Sequence, residues 1–153
     1  AASTVVTAVS SATDTDGNAV NVSITSEIPI EYTQAVADIK TEAKLKEVIG
    51  SDFNANMTVA DVKKVTAPEG AKFPLKITFA MKGVTASSKV QILHYNRSAS
   101  AWEKIDTTVA DGTVTGTFSS LSLVTSATAV SAVAVLGLAA VAAAFGLKKK
   151  VVR

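Results

Sequence analysis

Residues 127–147 read ATAVSAVAVLGLAAVAAAFGL, and residues 148–153 read KKKVVR. The first of these stretches holds 21 residues with no charge, no Pro and only two hydroxyls, Thr128 and Ser131. As a helix it would be about 31 Å long, the thickness of a bilayer's hydrocarbon core. The expectation is therefore a C-terminal hydrophobic, transmembrane-like helix over 127–147. The charges that follow, Lys148, Lys149, Lys150 and Arg153, are expected on the cytoplasmic side, which puts the preceding 126 residues outside the cell. The segment is poor in large side chains: nine of its residues are Ala and two are Gly. Small residues four apart (Ala139 with Ala143, Ala140 with Ala144, Ala142 with Gly146) let a second backbone approach closely. A lipid anchor and a helix packed in the core of a filament are both open on this pattern.

What precedes the segment has the length of one ordinary domain, residues 1–121, joined by a polar hinge, 122–126. The formal charge of the whole chain, +2, conceals an asymmetry. With four of its 15 Lys and Arg in the tail, the rest carries 11 cations against all 13 Asp and Glu. A faintly acidic domain has no electrostatic footprint for nucleic acid. With no Cys, the domain has neither disulfides nor thiolate chemistry and relies on core packing. The start, Ala1-Ala2-Ser3, suits the mature side of a signal-peptidase cut, so a leader removed before Ala1 is expected.

Along the domain, hydrophobic residues recur with the period of half-buried strands. Residues 3–13 and 19–28 flank Asp14-Thr15-Asp16-Gly17-Asn18, and a hairpin is expected there. Calcium binding by this Asp-rich run is disfavoured, because position 25, where the loop pattern needs a bidentate Glu, is Thr. Residues 34–49 are helix formers closing on Gly50, either as one helix or as two divided near Thr41, with Val36, Ile39 and Ala43 on one face. Residues 53–65 read as a strand running toward the turn at Pro68-Glu69-Gly70. Leu75, Ile77, Phe79 and Met81 alternate without a break, and Gly83 turns the chain. Residues 89–96 and 101–110 form a hairpin, and Asp111-Gly112 leads into 113–121 with Val114 and Phe118 inward. About seven short strands with turn signals between them describe a mainly β domain, a sandwich with one helical insertion.

A catalytic or metal site is not expected. The one His, His94, lies in a strand and has no motif that would supply a nucleophile, so it reads as a packed core residue. One His and no Cys do not meet the usual zinc set, and no Gly-rich phosphate loop exists. No cofactor is expected. Asn-x-Ser/Thr occurs at Asn21, Asn56 and Asn96, of which Asn96, in a loop, is the best-placed glycosylation acceptor.

Several stretches carry a resemblance: Ile77-Thr78-Phe79 with Gly83-Val84, then Val90-Gln91-Ile92-Leu93-His94-Tyr95-Asn96, Trp102-Glu103-Lys104, and residues 111–122, DGTVTGTFSSLS. Together they resemble the membrane-proximal immunoglobulin-like module of Gram-positive surface proteins, over roughly residues 70 to 123. The plan of β-module, apolar span and basic tail is similar to that of sortase substrates. It departs from them in lacking Leu-Pro-x-Thr-Gly before the span; the last Pro is Pro74. The resemblance implies an immunoglobulin-like sandwich at a cell surface, anchored by the span itself.

Two functions follow as expectations. The first is a non-enzymatic structural surface protein, anchored and self-assembling into a homo-oligomer, filament or array through the Ala-rich segment. Its packing residues would be Ala139, Ala140, Ala142, Ala143, Ala144 and Gly146. The second is a membrane-tethered adhesin that contacts a host or polysaccharide ligand through the loops 14–18, 68–73 and 96–100.

Overall fold

The computed structural model describes residues 6–121 with their side chains and the backbone of 134–144. Eight strands form one antiparallel sheet: β1 (Val6–Thr13), β2 (Ser23–Thr25), β3 (Thr58–Pro68), β4 (Leu75–Met81), β5 (Lys89–Asn96), β6 (Ala101–Ala110), β7 (Thr113–Phe118) and β8 (Ala134–Ala144). Their order is β1-β4-β7-β6-β5-β8-β3-β2. Two short helices, α1 (Thr33–Ile39) and α2 (Glu42–Ile49), lie between β2 and β3 in sequence.

β6 makes the sheet two-sided. Its first half, Ala101 to Ile105, pairs with β5, and its second half, Asp106 to Ala110, pairs with β7. A strand that changes partners midway is how a sheet turns a corner and folds its two halves over one core. That core collects Val6 and Ala12 of β1, Leu75, Ile77, Phe79 and Met81 of β4, Val114 and Phe118 of β7, Ile92 of β5, and Val65 and Ala67 of β3. The faultless alternation of β4 is the signature of such a strand: its apolar residues are buried while Lys76 is exposed. The result is mainly β and consistent with a sandwich.

A second core lies on the other face. Ile39 of α1 and Leu45 and Ile49 of α2 pack with Leu93, Trp102, Tyr32 and Met57. The helical stretch divides near Thr41, the second of the two arrangements its sequence allows. Thr41 is the N-cap of α2, its Oγ1 accepting from the Lys44 N–H at 3.2 Å. The break rotates the helical face, so Ala43, expected beside Val36 and Ile39, is exposed. Gly50 ends α2 at φ 75°, a conformation that favours glycine.

The first hairpin is shorter than expected. Its turn forms, with Asp14 Oδ1 accepting from the N–H groups of Asp16 and Asn18. Beyond the Thr13–Ala19 bridge, however, the chain leaves β1, and Ser23–Thr25 pairs with β3 instead. One stretch of alternating residues thus crosses from one half of the sheet to the other. The strand expected over 53–65 begins later, at Thr58, after a 3-10 turn at Gly50–Asp52.

The C-terminal segment is described only in part. Within 127–147, expected as a helix, Ala134–Ala144 is strand β8, bonded to β3 on one side and β5 on the other. Residues 127–133 and 145–147 lie outside the described residues, as do the hinge 122–126 and the tail 148–153. Among the described residues no helix is long and apolar enough to cross a membrane. The cause of the difference is physical. β8 lies between two strands and not at an edge, with β3 and β5 contributing side chains to both the inner core and the cluster under the helices, and central strands of this kind are commonly written as continuous apolar runs. A continuous apolar run then has no period that separates strand from helix.

Candidate interaction surfaces

The structure offers two surfaces. The first is the position that β8 fills. β3 and β5 run in the same direction on either side of it, and β8 runs against both. The register is continuous: Lys63, Ala139 and His94 lie in one row, then Lys64, Leu138 and Tyr95, then Val62, Ala140 and Leu93. The small residues singled out in the sequence fall here as well, with Ala142 between Val59 and Gln91, Ala143 between Thr58 and Val90, and Ala144 beside Lys89. Gly146 lies outside the described residues.

Polar groups frame this position. On β3, a bulge between Val59 and Asp61 brings the Asp61 carboxylate to the Val6 N–H at 2.9 Å and to Lys63 Nζ at 3.3 Å. Lys63 also donates to Ser26 Oγ at 2.7 Å, and the paired side chains are only 7 and 10% exposed. A buried ammonium needs such partners. On β5, His94 is wholly buried, with Nδ1 2.8 Å from Glu103 Oε2. The carboxylate accepts, which places the proton on Nδ1. Among the described residues Nε2 has no hydrogen-bond partner. Burial lowers the His94 pKa from its ordinary 6.5, against the opposing pull of the Glu103 hydrogen bond and charge. The His94 ring also meets Phe118 edge-on, with centroids 6.1 Å apart. The packed reading of His94 fits this setting. Its partner Glu103 carried no sequence signal, because the pairing depends on the β5–β6 register, His94 opposite Glu103.

The second surface is one end of the sheet. The antiparallel registers put the ends of β1, β3 and β5 and the starts of β4 and β6 together, so loops 14–18, 68–73 and 96–100 emerge at the same end. Lys72 joins the first two, its Nζ 3.2 Å from Asp16 Oδ2. Loop 96–100 is tied instead to the segment before α1, through Arg97 Nη1 to Glu31 Oε2 at 3.3 Å. Beside it a cleft of about 260 Å³ is lined by Glu31, Asp38, Lys44, Glu47, Tyr95 and Trp102. Trp102 is held there by its Nε1–H donating to the Ala35 carbonyl at 3.0 Å.

Asn96 closes β5, half-buried, its side-chain oxygen accepting from the Ala99 N–H at 3.1 Å. Asn21 and Asn56, expected within strands, are exposed and outside them. Among the described residues no three His, Asp or Glu converge on a common point that could hold a metal ion. No family model, no curated protein and no solved structure matches this chain.

Proposed function

We propose that this is a non-enzymatic structural protein of a cell surface, which self-associates through its C-terminal apolar segment. One observation carries the reading. The 21 uncharged residues of 127–147 exceed what a single strand needs, and they end in a cationic tail. Before assembly such a segment is long enough to hold the chain in a bilayer, with Lys148, Lys149, Lys150 and Arg153 on the cytoplasmic side. The immunoglobulin-like character of the domain and its likeness to the membrane-proximal modules of Gram-positive surface proteins belong to the same reading. The antiparallel sheet and its corner strand support the first of these, the sandwich character, alone. Negative-stain microscopy of the full-length chain on its native surface, beside purified chain, tests it. Regular fibres or arrays support self-assembly; a featureless coat together with a monodisperse monomer in solution overturns it.

A second reading, an adhesin, is favoured by the grouping of loops. Loops 14–18, 68–73 and 96–100 share one end of the sheet, while β8 runs away from that end toward Ala144, with the tail beyond. A ligand surface would then lie at the end of the sheet opposite the C-terminal end of β8. Glycan-array binding by the full chain, lost on Arg97→Ala and Lys72→Ala, would favour this reading.

A further inference from the structure

We propose that the slot between β3 and β5 is an intersubunit site, which in the assembled protein takes residues 134–144 of a second copy. The inference rests on the self-assembly reading above and gives it a mechanism, strand exchange.

The slot must be filled by something. Because β3 and β5 run in the same direction in an otherwise antiparallel sheet, neither serves as the other's antiparallel neighbour. Each presents a row of backbone N–H and C=O groups, over Thr58–Pro68 on one side and Lys89–Tyr95 on the other. Those rows border strands whose own side chains are buried, Val65 and Ile92 in the inner core and Leu93 against the helices. Water is a poor partner there, so the rows require a strand.

The occupant has the marks of an exchangeable strand. It is the last element among the described residues, reached by a connection of its own after β7. Six of its eleven residues are Ala and one is Gly137, residues with little strand preference of their own. Its stability as a strand therefore comes from the slot and not from its local sequence. A second copy offers the identical segment, which satisfies the same backbone groups of β3 and β5.

The connecting length allows a neighbour. The β6–β7 pairing ends at Asp106 with Thr117, whereas β8 meets β5 at Leu138 with Tyr95, level with Trp102 of β6, and begins four residues earlier, at Ala134. Residues 122–133 lie between Leu121 and Ala134. Twelve residues reach about 40 Å, enough for the chain's own slot or for that of an adjoining copy. A donated strand makes a head-to-tail contact, which has no reason to close and so propagates as a fibre.

The chain has no Cys, so crosslinking reads the exchange directly. Two adjacent register pairs, Thr66 with Leu136 and Ala67 with Val135, alternate between the two pair types of an antiparallel ladder, so one of them suits a disulfide. Full-length Thr66→Cys and Leu136→Cys chains are mixed, assembled and oxidised, as are Ala67→Cys and Val135→Cys. Folding is checked by the fluorescence of Trp102, the one Trp. Expected is a mixed disulfide dimer joining two different chains, much more abundant than any dimer of either variant alone. If the double variants instead close within one chain and the mixtures give no mixed dimer, exchange is overturned. Fibres seen in that same sample would leave self-assembly standing; a uniform monomer would remove both. If folded chains form neither disulfide, the segment does not occupy the slot, and the inference also fails.

Discussion

Replacing Gly116 with Ala should destabilise the domain although it adds only one methyl group. Gly116 sits in β7 opposite Ile77 of β4 and Thr107 of β6. A Cβ there would lie 2.9 Å from Ile92 Cδ1, 3.1 Å from Phe118 Cε1 and 3.2 Å from Ile105 Cγ2. Carbon contacts are optimal at about 3.5 to 4.0 Å, so all three neighbours must yield. Two effects favour Ala: a stiffer unfolded chain, about 0.4 to 1 kcal/mol, and a buried methyl, about 0.8 kcal/mol. Overpacking costs about 1 to 3 kcal/mol, and with three enclosed neighbours the upper end applies. The net loss should be about 1 to 2 kcal/mol, read as a shift of the urea midpoint followed by Trp102 fluorescence. Ile92→Val removes the atom at 2.9 Å and alone costs about 0.5 to 1.5 kcal/mol. Combined with Gly116→Ala it should cost about 1 kcal/mol less than the two changes summed, because the new methyl occupies the space vacated. A Gly116→Ala protein as stable as the parent, or a cycle additive to within about 0.5 kcal/mol, would refute the crowding argument.

Asp61→Ala should cost about 3 kcal/mol in chemical denaturation, because it strands the buried Lys63 ammonium and leaves the Val6 N–H without its acceptor. Adding Lys63→Met should recover part of that loss. For His94, burial holds the folded pKa below the ordinary 6.5, so the folded chain takes up this proton at lower pH than the unfolded chain does. The associated stability is complete above pH about 6.5 and falls as pH drops through the folded pKa, at no more than about 1.4 kcal/mol per pH unit. Urea midpoints at pH 7.5, 6.5 and 5.5 should show this slope in the parent and not in His94→Leu; equal slopes would contradict it. Thr41→Ala removes the acceptor of the Lys44 N–H and should cost about 1 kcal/mol in thermal or urea unfolding.

Periodicity alone identifies those strands of the first 121 residues whose two faces meet different surroundings. β4 alternates because one side meets the core and the other meets solvent, and β5, β6 and β7 are bounded by turn residues such as Gly83 and Gly112, both at positive φ. A break at Thr41 was one of two alternatives the sequence left open, and the Thr41 side chain capping its own helix decides between them. His94 could be read as a packed residue from the motifs it lacks, but its partner Glu103 could not. Cross-strand pairing is a matter of register, and register is fixed by the whole hairpin. Only the tertiary structure decided three further things. The chain after Ala19 crosses to the far half of the sheet, because β3 and not β1 offers an edge to Ser23–Thr25. The loops at 14–18, 68–73 and 96–100 share one end because every intervening strand is antiparallel. Residues 134–144 form a strand because the β3–β5 slot supplies hydrogen-bond partners on both sides. Such a central strand is commonly a continuous apolar run, as a bilayer span is, and composition alone does not distinguish the two.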